Sequence, residues 1–402
     1  MRNKLFDEFL IGSWVTYFDY GIMSQEEQMK RLVELGVNFH PFPFSWYDPE
    51  THDDLDDWKE TDRLCQKYGV LYGLECYNDK RGTSEEAFKK HIEIAKEMSE
   101  NLAVFHIFDE PMGCEVKMLG DWVRRYRAEN PNVWPIFNLN PSSVSVRRLQ
   151  TSYEDHLQAM IDAAGAENVA FLSSDFYPFM RDGSFKEYIF ADMENIRKAA
   201  YDNGKIRTHA FLQAYGGNSC RMPTIDEIRW QAYAYMAYGF KALSYFNMVS
   251  PRNNGGSFTE GLIMQDGSIP NPELLAATGE LNFELRAVGN EMLNMQTVHA
   301  YHTHDISTYY AQGVVETLPE GYYVTPVDKD RKFVITEHED KDRFMIFNNS
   351  FTLSGKSEFY VSGVNEIYVF DPTEKKYKKC DYKNGILTVT FKKGEGLLFK
   401  TV

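Results

Sequence analysis

Carboxyl groups stand directly after apolar segments at two points in this sequence, where they are placed to do acid–base chemistry. Glu110 follows the apolar segment 102–108 and precedes Pro111, which ends the segment. Asp175 follows a second apolar segment, 168–174. Two carboxyl groups held in different environments can supply a proton donor and an ionised partner. Glu110 is the first catalytic candidate, and Asp175 is its leading partner.

Each of these assignments has an alternative. A carboxylate in the position of Glu110 can also cap the helix that follows it. Asp109 is expected on the opposite face of its segment, in a structural contact. Asp175 is equally suited to binding hydroxyl groups, and Glu75 and Glu260 are the next candidates for the second catalytic carboxylate.

The other segment ends carry amides, histidines and aromatic rings. Aromatic residues make up 15% of the chain; such an excess often lines sugar-binding clefts, although composition alone favours a large, aromatic-rich core. Amides and carboxylates bind hydroxyl groups, and rings stack on sugars, so the predicted partner is a carbohydrate. The predicted substrate-binding residues are His40, Trp46, Glu75, Asn138, Tyr177, Gln213 and Tyr245.

A metal-dependent enzyme is a further alternative. His40 and His106, together with Glu75 or Asp175, are residue types that ligate divalent ions. No H-x-H or H-E-x-x-H motif marks this part of the sequence, and we predict neither a metal nor another cofactor.

Eight apolar segments, each followed by an amphipathic or polar stretch, must position these side chains. They cover residues 9–18, 37–44, 70–77, 102–111, 133–141, 168–178, 208–217 and 241–251. The clearest helix follows Thr224, which we predict as its N-cap. Eight such units in about 290 residues predict a (β/α)8 TIM barrel, with the candidate residues at the carboxyl ends of its strands. A doubly wound open sheet is less suitable, because no segment ends in a glycine-rich phosphate-binding turn.

The pattern changes near Asn294. Beyond it, β-branched and aromatic residues alternate with charged ones and are broken by turn sequences. We therefore predict an α/β fold made of a catalytic barrel, residues 1–294, and a C-terminal antiparallel β-sandwich, residues 295–402.

The net charge limits the classes of partner that the protein is expected to bind, and the cysteine content indicates its compartment. The net charge of −16 disfavours nucleic acid and anionic membranes as partners, because both attract basic surfaces. No apolar run is long enough for a membrane helix. Five scattered cysteines without C-x-x-C, and a start without a signal-peptide core, predict a cytoplasmic protein. Homo-oligomerisation is left open.

Several short motifs of this chain, taken together, resemble those of a known group of proteins. The DEP after the fourth strand, the D-x-Y-P after the sixth and the aromatic–Asn end of the eighth are similar to those of clan A glycoside hydrolases. The segments 223–246 and 261–271 and the C-terminal GEGLLFKTV resemble family 42 β-galactosidase-like proteins and uncharacterised bacterial relatives. The resemblance implies a general acid/base role for Glu110.

Two positions depart from that group. Gln213 stands where the resemblance implies a nucleophilic glutamate, and an amide carries no charge with which to attack or stabilise the anomeric carbon. Asp109 stands where family 42 has asparagine. We therefore expect a glycoside hydrolase in which Glu110 is the acid/base and Asp175 the second carboxylate. The alternative is a barrel that binds carbohydrate without cleaving it.

Overall fold

The computed structural model describes residues 4–14, 24–41, 55–76, 84–250, 255–305 and 314–402. Within them, parallel strands close into an eight-stranded barrel. Its strands are β1 (Leu10–Ser13), β2 (Phe39–His40), β3 (Leu71–Glu75), β4 (Leu102–Asp109), β5 (Trp134–Leu139), β6 (Phe171–Asp175), β7 (Arg207–Gln213) and β9 (Ala242–Phe246). The last strand, β9, pairs with both β7 and β1 and so completes the barrel. Two short strands, β8 (Tyr215–Gly216) and β10 (Glu260–Gly261), form a separate antiparallel pair.

Helices surround the barrel. They are α1 (Gln25–Glu34), α2 (Leu55–Tyr68), α3 (Glu85–Glu97), α4 (Val116–Glu129), α5 (Val146–Leu149), α6 (Tyr153–Ala164), α7 (Ile189–Asp202), α8 (Ile225–Ala237) and α9 (Pro272–Met292). Thr224 is confirmed as the N-cap of α8, where its side chain accepts from the Glu227 N–H. Glu227 in turn accepts from the Thr224 N–H, so the start of α8 is a complete capping box.

The strands of the barrel alternate between two environments. One set of side chains packs outward against the helices in the main hydrophobic core, which includes Ile11, Tyr72 and Leu243. The other set points inward, and at the amino ends of the strands Leu10, Phe39 and other apolar residues fill the interior. The inward-facing residues become polar toward the carboxyl ends, where the loops and solvent meet the strands.

Two antiparallel sheets follow the barrel. One has the order β11-β13-β14-β20-β16-β17 and the other β12-β15-β19-β18. Their strands are β11 (Thr297–His302), β12 (Val324–Pro326), β13 (Phe333–His338), β14 (Arg343–Asn348), β15 (Gly355–Val361), β16 (Ile367–Asp371), β17 (Lys376–Lys379), β18 (Asp381–Lys383), β19 (Ile386–Phe391) and β20 (Gly396–Thr401).

The two sheets enclose a core of their own, in which the rings of Phe333 and Phe359 lie 4.9 Å apart. The other face of the larger sheet packs on the barrel, where Met345 and Phe347 join the main core. The predicted TIM barrel with a C-terminal β-sandwich is therefore confirmed. The division at residues 294 and 295 stays a prediction.

Candidate active site

The centre of the candidate site is a group of three carboxyl side chains at the carboxyl ends of β4 and β6. Asp109 ends β4, Glu110 follows it, and Asp175 ends β6. The side chain of Asn138, on the intervening strand β5, connects them. Its Nδ2 donates to Oδ1 of Asp175 at 3.0 Å and to Oδ1 of Asp109 at 3.3 Å.

Asp109 therefore lies in this group, and the expectation that it points to the opposite face of β4 is wrong. The pairing of β4 with β5 shifts register between His106 and Phe108. The shift inserts one extra residue, so that Asp109 falls opposite Asn138 and on the same face of the sheet. Strict alternation, which the sequence suggested, would have turned Asp109 outward.

Glu110 has a backbone conformation that non-glycine residues seldom adopt. Its φ is 48°, and its N–H donates to the Asn138 carbonyl at 2.8 Å. The side chain forms an ion pair with Arg148, whose Nη2 lies 3.2 Å from Oε2. Left-handed backbone at a strand end is a form of local strain that clusters at functional sites.

The capping role considered for Glu110 is filled by another residue. The N–H of Met112 donates to the carboxylate of Glu115 at 2.7 Å, in the turn that leads into α4. Glu115 therefore serves the start of that helix, and the Glu110 carboxylate faces Arg148 instead.

The electrostatics of the site favour a bound proton on Asp175. Burial, together with the charges of Glu110 and Asp109, raises the pKa of Asp175 well above its ordinary value. Hydrogen bonds from Asn138 and Tyr177 lower this pKa and offset part of the rise. A carboxyl group perturbed by burial and by like charges is typical of catalytic sites, although structural networks can produce the same effect.

Aromatic rings lie beside the carboxyl groups. Tyr177 stacks on Phe246 with ring centroids 5.3 Å apart and meets Tyr215 edge-on at the same separation. Trp14 contacts Phe246 edge-on at 6.1 Å and also contacts the ring of His106. Such rings supply the flat apolar surface on which a sugar stacks, next to groups that bind hydroxyls.

The structure thus brings together four of the predicted residues, Glu110, Asp175, Asn138 and Tyr177. His40 is buried at the end of β2, and burial lowers its pKa to about 3, so its imidazole is neutral. Glu75 is half-buried at the end of β3, and Glu260 is exposed in β10. The predicted residue Trp46 lies outside the described residues.

Gln213 and Tyr245 lie away from the carboxyl group cluster. Gln213 is fully buried; its Nε2 donates to the carbonyls of Phe179 at 3.0 Å and Arg221 at 2.7 Å. Its Oε1 accepts from the Phe179 N–H at 2.9 Å. Tyr245 points outward to α9, where its hydroxyl donates to Asn282 at 2.6 Å. Both side chains are engaged within the protein.

Sequence reasoning missed Arg148 and Phe246. Arg148 is on α5, far along the chain from Glu110, and no spacing pattern pairs them. Phe246 is next to the predicted Tyr245, and strand alternation is the signal that would have selected it: Phe246 shares the inward face of β9, and Tyr245 the outward one.

Among the described residues, no group of three or more His, Cys, Asp or Glu side chains is arranged to hold a metal ion. No helix in the described part of the chain is long and apolar enough to cross a membrane. All five cysteines are free thiols.

Comparisons with known proteins place the fold in a recognisable class. No protein-family model matches the sequence, and no curated protein matches it. Solved structures do match, and they include three glycoside hydrolases. The first is a β-galactosidase from Bacillus circulans sp. alkalophilus, with 12% identity, a TM-score of 0.51, and coverage of 74% of this chain and 59% of that one. The chain therefore spans less than two thirds of that β-galactosidase.

Two other structures match over nearly their whole length. An α-L-arabinofuranosidase from Thermotoga maritima, in complex with arabinose, has 11% identity, a TM-score of 0.52, and coverage of 99% of this chain and 97% of that one. An α-amylase from Anoxybacillus has 9% identity, a TM-score of 0.55, and coverage of 99% and 98%. At these identities the likeness shows a shared barrel fold, and the activity has to be argued from the site.

Proposed function

We propose that this protein is a glycoside hydrolase that cleaves an O-glycosidic bond in an oligosaccharide or glycoside. The observation that carries the proposal is the cluster of Asp109, Glu110 and Asp175 at the carboxyl end of the barrel, beside the stacked rings of Tyr177 and Phe246. Hydrolysis of a glycosidic bond needs a protonated and an ionised carboxyl group flanking the bond, with surfaces that hold the sugar.

The environments of the two candidate catalytic groups differ, and the difference supports a division of roles. Asp175 is half-buried beside two other carboxyl groups, which help to raise its pKa, and is the better proton carrier. Glu110 instead forms an ion pair with Arg148, whose Nη2 lies 3.2 Å from Oε2. We propose that Asp175 protonates the leaving oxygen and that Glu110 attacks the anomeric carbon or activates water. The position after the fourth strand and the clan A resemblance had both assigned the donor role to Glu110.

Kinetics with two leaving groups tests this division. Glu110→Gln, Asp175→Asn and the surface control Glu129→Gln are compared on aryl glycosides and oligosaccharides. A proton donor contributes typically 10²–10⁴-fold, and only where the leaving group needs protonation. Asp175→Asn is expected to lose about that factor on oligosaccharides and little on dinitrophenyl glycosides, whereas Glu110→Gln loses activity on both.

The reverse pattern would return the donor role to Glu110. Full activity of both variants on oligosaccharides, with hydrolysis by wild type, would exclude the pair. The anomer first released, followed by NMR, distinguishes retention from inversion, which the separation of the two carboxyl groups controls.

A second candidate is a barrel that binds carbohydrate without cleaving it. Gln213 favours it, because the seventh strand supplies a fully bonded amide where the clan A resemblance implies a nucleophile. A binding barrel of this kind would show saturable binding of sugars by calorimetry and would release no product from any substrate. Family 42 membership and β-galactosidase specificity remain proposals of the same kind, tested by including β-galactosides in the panel.

The remaining expectations concern the setting of the protein. We propose a cytoplasmic location, supported by five free thiols. A carbohydrate is the proposed partner, and the net charge of −16 opposes nucleic-acid and membrane partners. Light scattering would give the oligomeric state.

A further inference from the structure

A chain of four buried polar side chains crosses the barrel directly beneath the carboxyl groups. Asn138, Ser173, His209 and Ser244 come from the four strands β5, β6, β7 and β9, and each is at most 4% exposed. Ser173 Oγ donates to Asn138 Oδ1 at 3.0 Å and lies 2.7 Å from His209 Nδ1. His209 Nε2 lies 2.8 Å from Ser244 Oγ. We call these four residues the relay.

With the Asn138 amide oriented as in the structure, the number of protons fixes the direction of every hydrogen bond in the relay. A serine hydroxyl carries one proton, so Ser173, which donates to Asn138, must accept from an N–H at Nδ1 of His209. Burial lowers the pKa of His209 to about 3, so its ring is neutral and has one N–H. His209 Nε2 is then an acceptor, and Ser244 donates to it.

The reverse direction is also self-consistent. With the proton of His209 on Nε2, Ser173 would donate to Nδ1 and accept from the Asn138 amide. Asn138 would then turn its carbonyl oxygen toward Asp109 and Asp175, and both contacts would be favourable only if both carboxyl groups carried a proton at the same time. In the structure the Asn138 NH2 group faces them instead, at 3.0 Å from Asp175 and 3.3 Å from Asp109.

Strand β1 makes room for the relay. A Cβ atom added to Gly12 would lie 2.5 Å from Ser244 Oγ, a distance that side chains do not tolerate. Glycine at this position therefore allows the Ser244 hydroxyl to reach His209. Five strands thus contribute to the relay, and the group that it orients is the Asn138 amide.

We infer that Ser173 and His209 are positioning residues, which hold the Asn138 amide with its two donors on Asp109 and Asp175. The inference deepens the proposed function, since it concerns the same carboxyl groups. By fixing an amide between them, the relay stabilises charge on the two aspartates and limits how strongly they hold protons. Catalysis is not needed to test it, because both measurements below use the protein without substrate.

The first measurement is the tautomer of His209. Nitrogen-15 NMR at pH 7, with assignment from His209→Gln, distinguishes a protonated Nδ1 from a protonated Nε2. We expect the Nδ1–H form. The Nε2–H form would reverse every bond in the relay and would overturn the inference.

The second measurement is the titration of Asp175 in the variant Ser173→Ala, followed by carbon-13 NMR of the side-chain carboxyl. The matched control is Ser174→Ala, since Ser174 is equally buried but lies on the other face of β6. The titratable groups that interact with Asp175 are the same in both variants, namely Asp109, Glu110, Tyr153, Tyr177, Tyr215 and Tyr235.

Without Ser173 the Asn138 amide is free to rotate, and Asp175 loses a hydrogen bond that favours its charged form. Its titration midpoint is expected to rise by at least about half a pH unit in Ser173→Ala and to stay unchanged in Ser174→Ala. An unchanged midpoint in folded Ser173→Ala would overturn the inference. If that variant does not fold, the tautomer of His209 in the wild-type protein still decides the question, because the Nε2–H form would overturn the inference. Hydrolysis that fails while both NMR results hold would refute the proposed function alone.

Discussion

Replacing Gln213 by glutamate restores the carboxylate that the clan A resemblance implies on the seventh strand. The structure predicts that this change damages the protein instead of activating it. Gln213 Nε2 donates two hydrogen bonds, to the carbonyls of Phe179 at 3.0 Å and Arg221 at 2.7 Å. In Gln213→Glu an oxygen without protons would face both carbonyls in a site with no exposed surface.

The cost follows from those two bonds. Leaving one buried group without its partner costs about 1–3 kcal/mol, so two carbonyls cost about 2–6 kcal/mol. A protonated glutamate recovers one of the bonds. The free energy of unfolding of Gln213→Glu should therefore fall further as the pH rises above about 4.3, where an unfolded glutamate ionises while the buried one still holds its proton.

Urea unfolding at pH 5 and pH 8, together with hydrolysis of aryl glycosides, measures both consequences. The control is Gln158→Glu, an exposed position on α6, where the change is expected to cost less than about 1 kcal/mol. Wild-type stability of Gln213→Glu at both pH values, combined with a gain in hydrolysis, would refute the structural role of Gln213. That result would show that residue 213 lies in the position of a catalytic nucleophile and that the wild-type protein lacks only the carboxylate there.

Two further predictions concern the frame of the barrel. Burial raises the pKa of Asp192 from 3.8 to about 7, despite hydrogen bonds from Ser142, so the folded protein holds a proton there that the unfolded chain releases. Its contribution to the free energy of unfolding therefore falls as the pH rises from about 4 to 7, by at most about 4 kcal/mol. Asp192→Asn should flatten this part of the stability profile in urea unfolding from pH 4 to 8, and parallel profiles for variant and wild type would contradict the reasoning. Gly120→Ala should destabilise by about 1–3 kcal/mol, because the added Cβ would lie 2.4 Å from the backbone of Ala163 where α4 crosses α6; an unchanged melting temperature would mean that the two helices separate freely.

The sequence was sufficient for the architecture, because the alternation of apolar segments and helices is a local signal repeated eight times. It was also sufficient to place Glu110, Asn138 and Asp175 at strand ends. The sequence was not sufficient where a shift of one residue decides which face of the sheet a side chain lies on. The extra residue in β4 turns Asp109 inward, and strict alternation gives Tyr245 to the helix layer.

Partners distant in sequence were the other limit. The ion pair of Glu110 with Arg148 joins residues 38 positions apart, and nothing in the composition of either segment indicates it. The role of Gln213 was equally hidden, since an amide at a strand end suits ligand binding as well as it suits bonding to backbone groups.

Helix α8 connects the C-terminal sheets to the candidate site. On one side Trp230 packs against Phe347 of β14, and its Nε1 donates to Asn349 at 2.9 Å. The next residue, Gln231, accepts from the N–H of Gln213 at 2.8 Å and donates to its carbonyl at 3.2 Å. Gln213 in turn bonds both backbone groups of Phe179, two residues beyond Tyr177. A continuous path of contacts therefore leads from the larger sheet through α8 and Gln213 to the end of β6, where Asp175 and Tyr177 lie. Helix α8 is buried on both sides, so the larger sheet covers apolar surface that the barrel cannot bury alone. The same helix holds the Gln213 amide, which in turn holds the segment after β6 through Phe179.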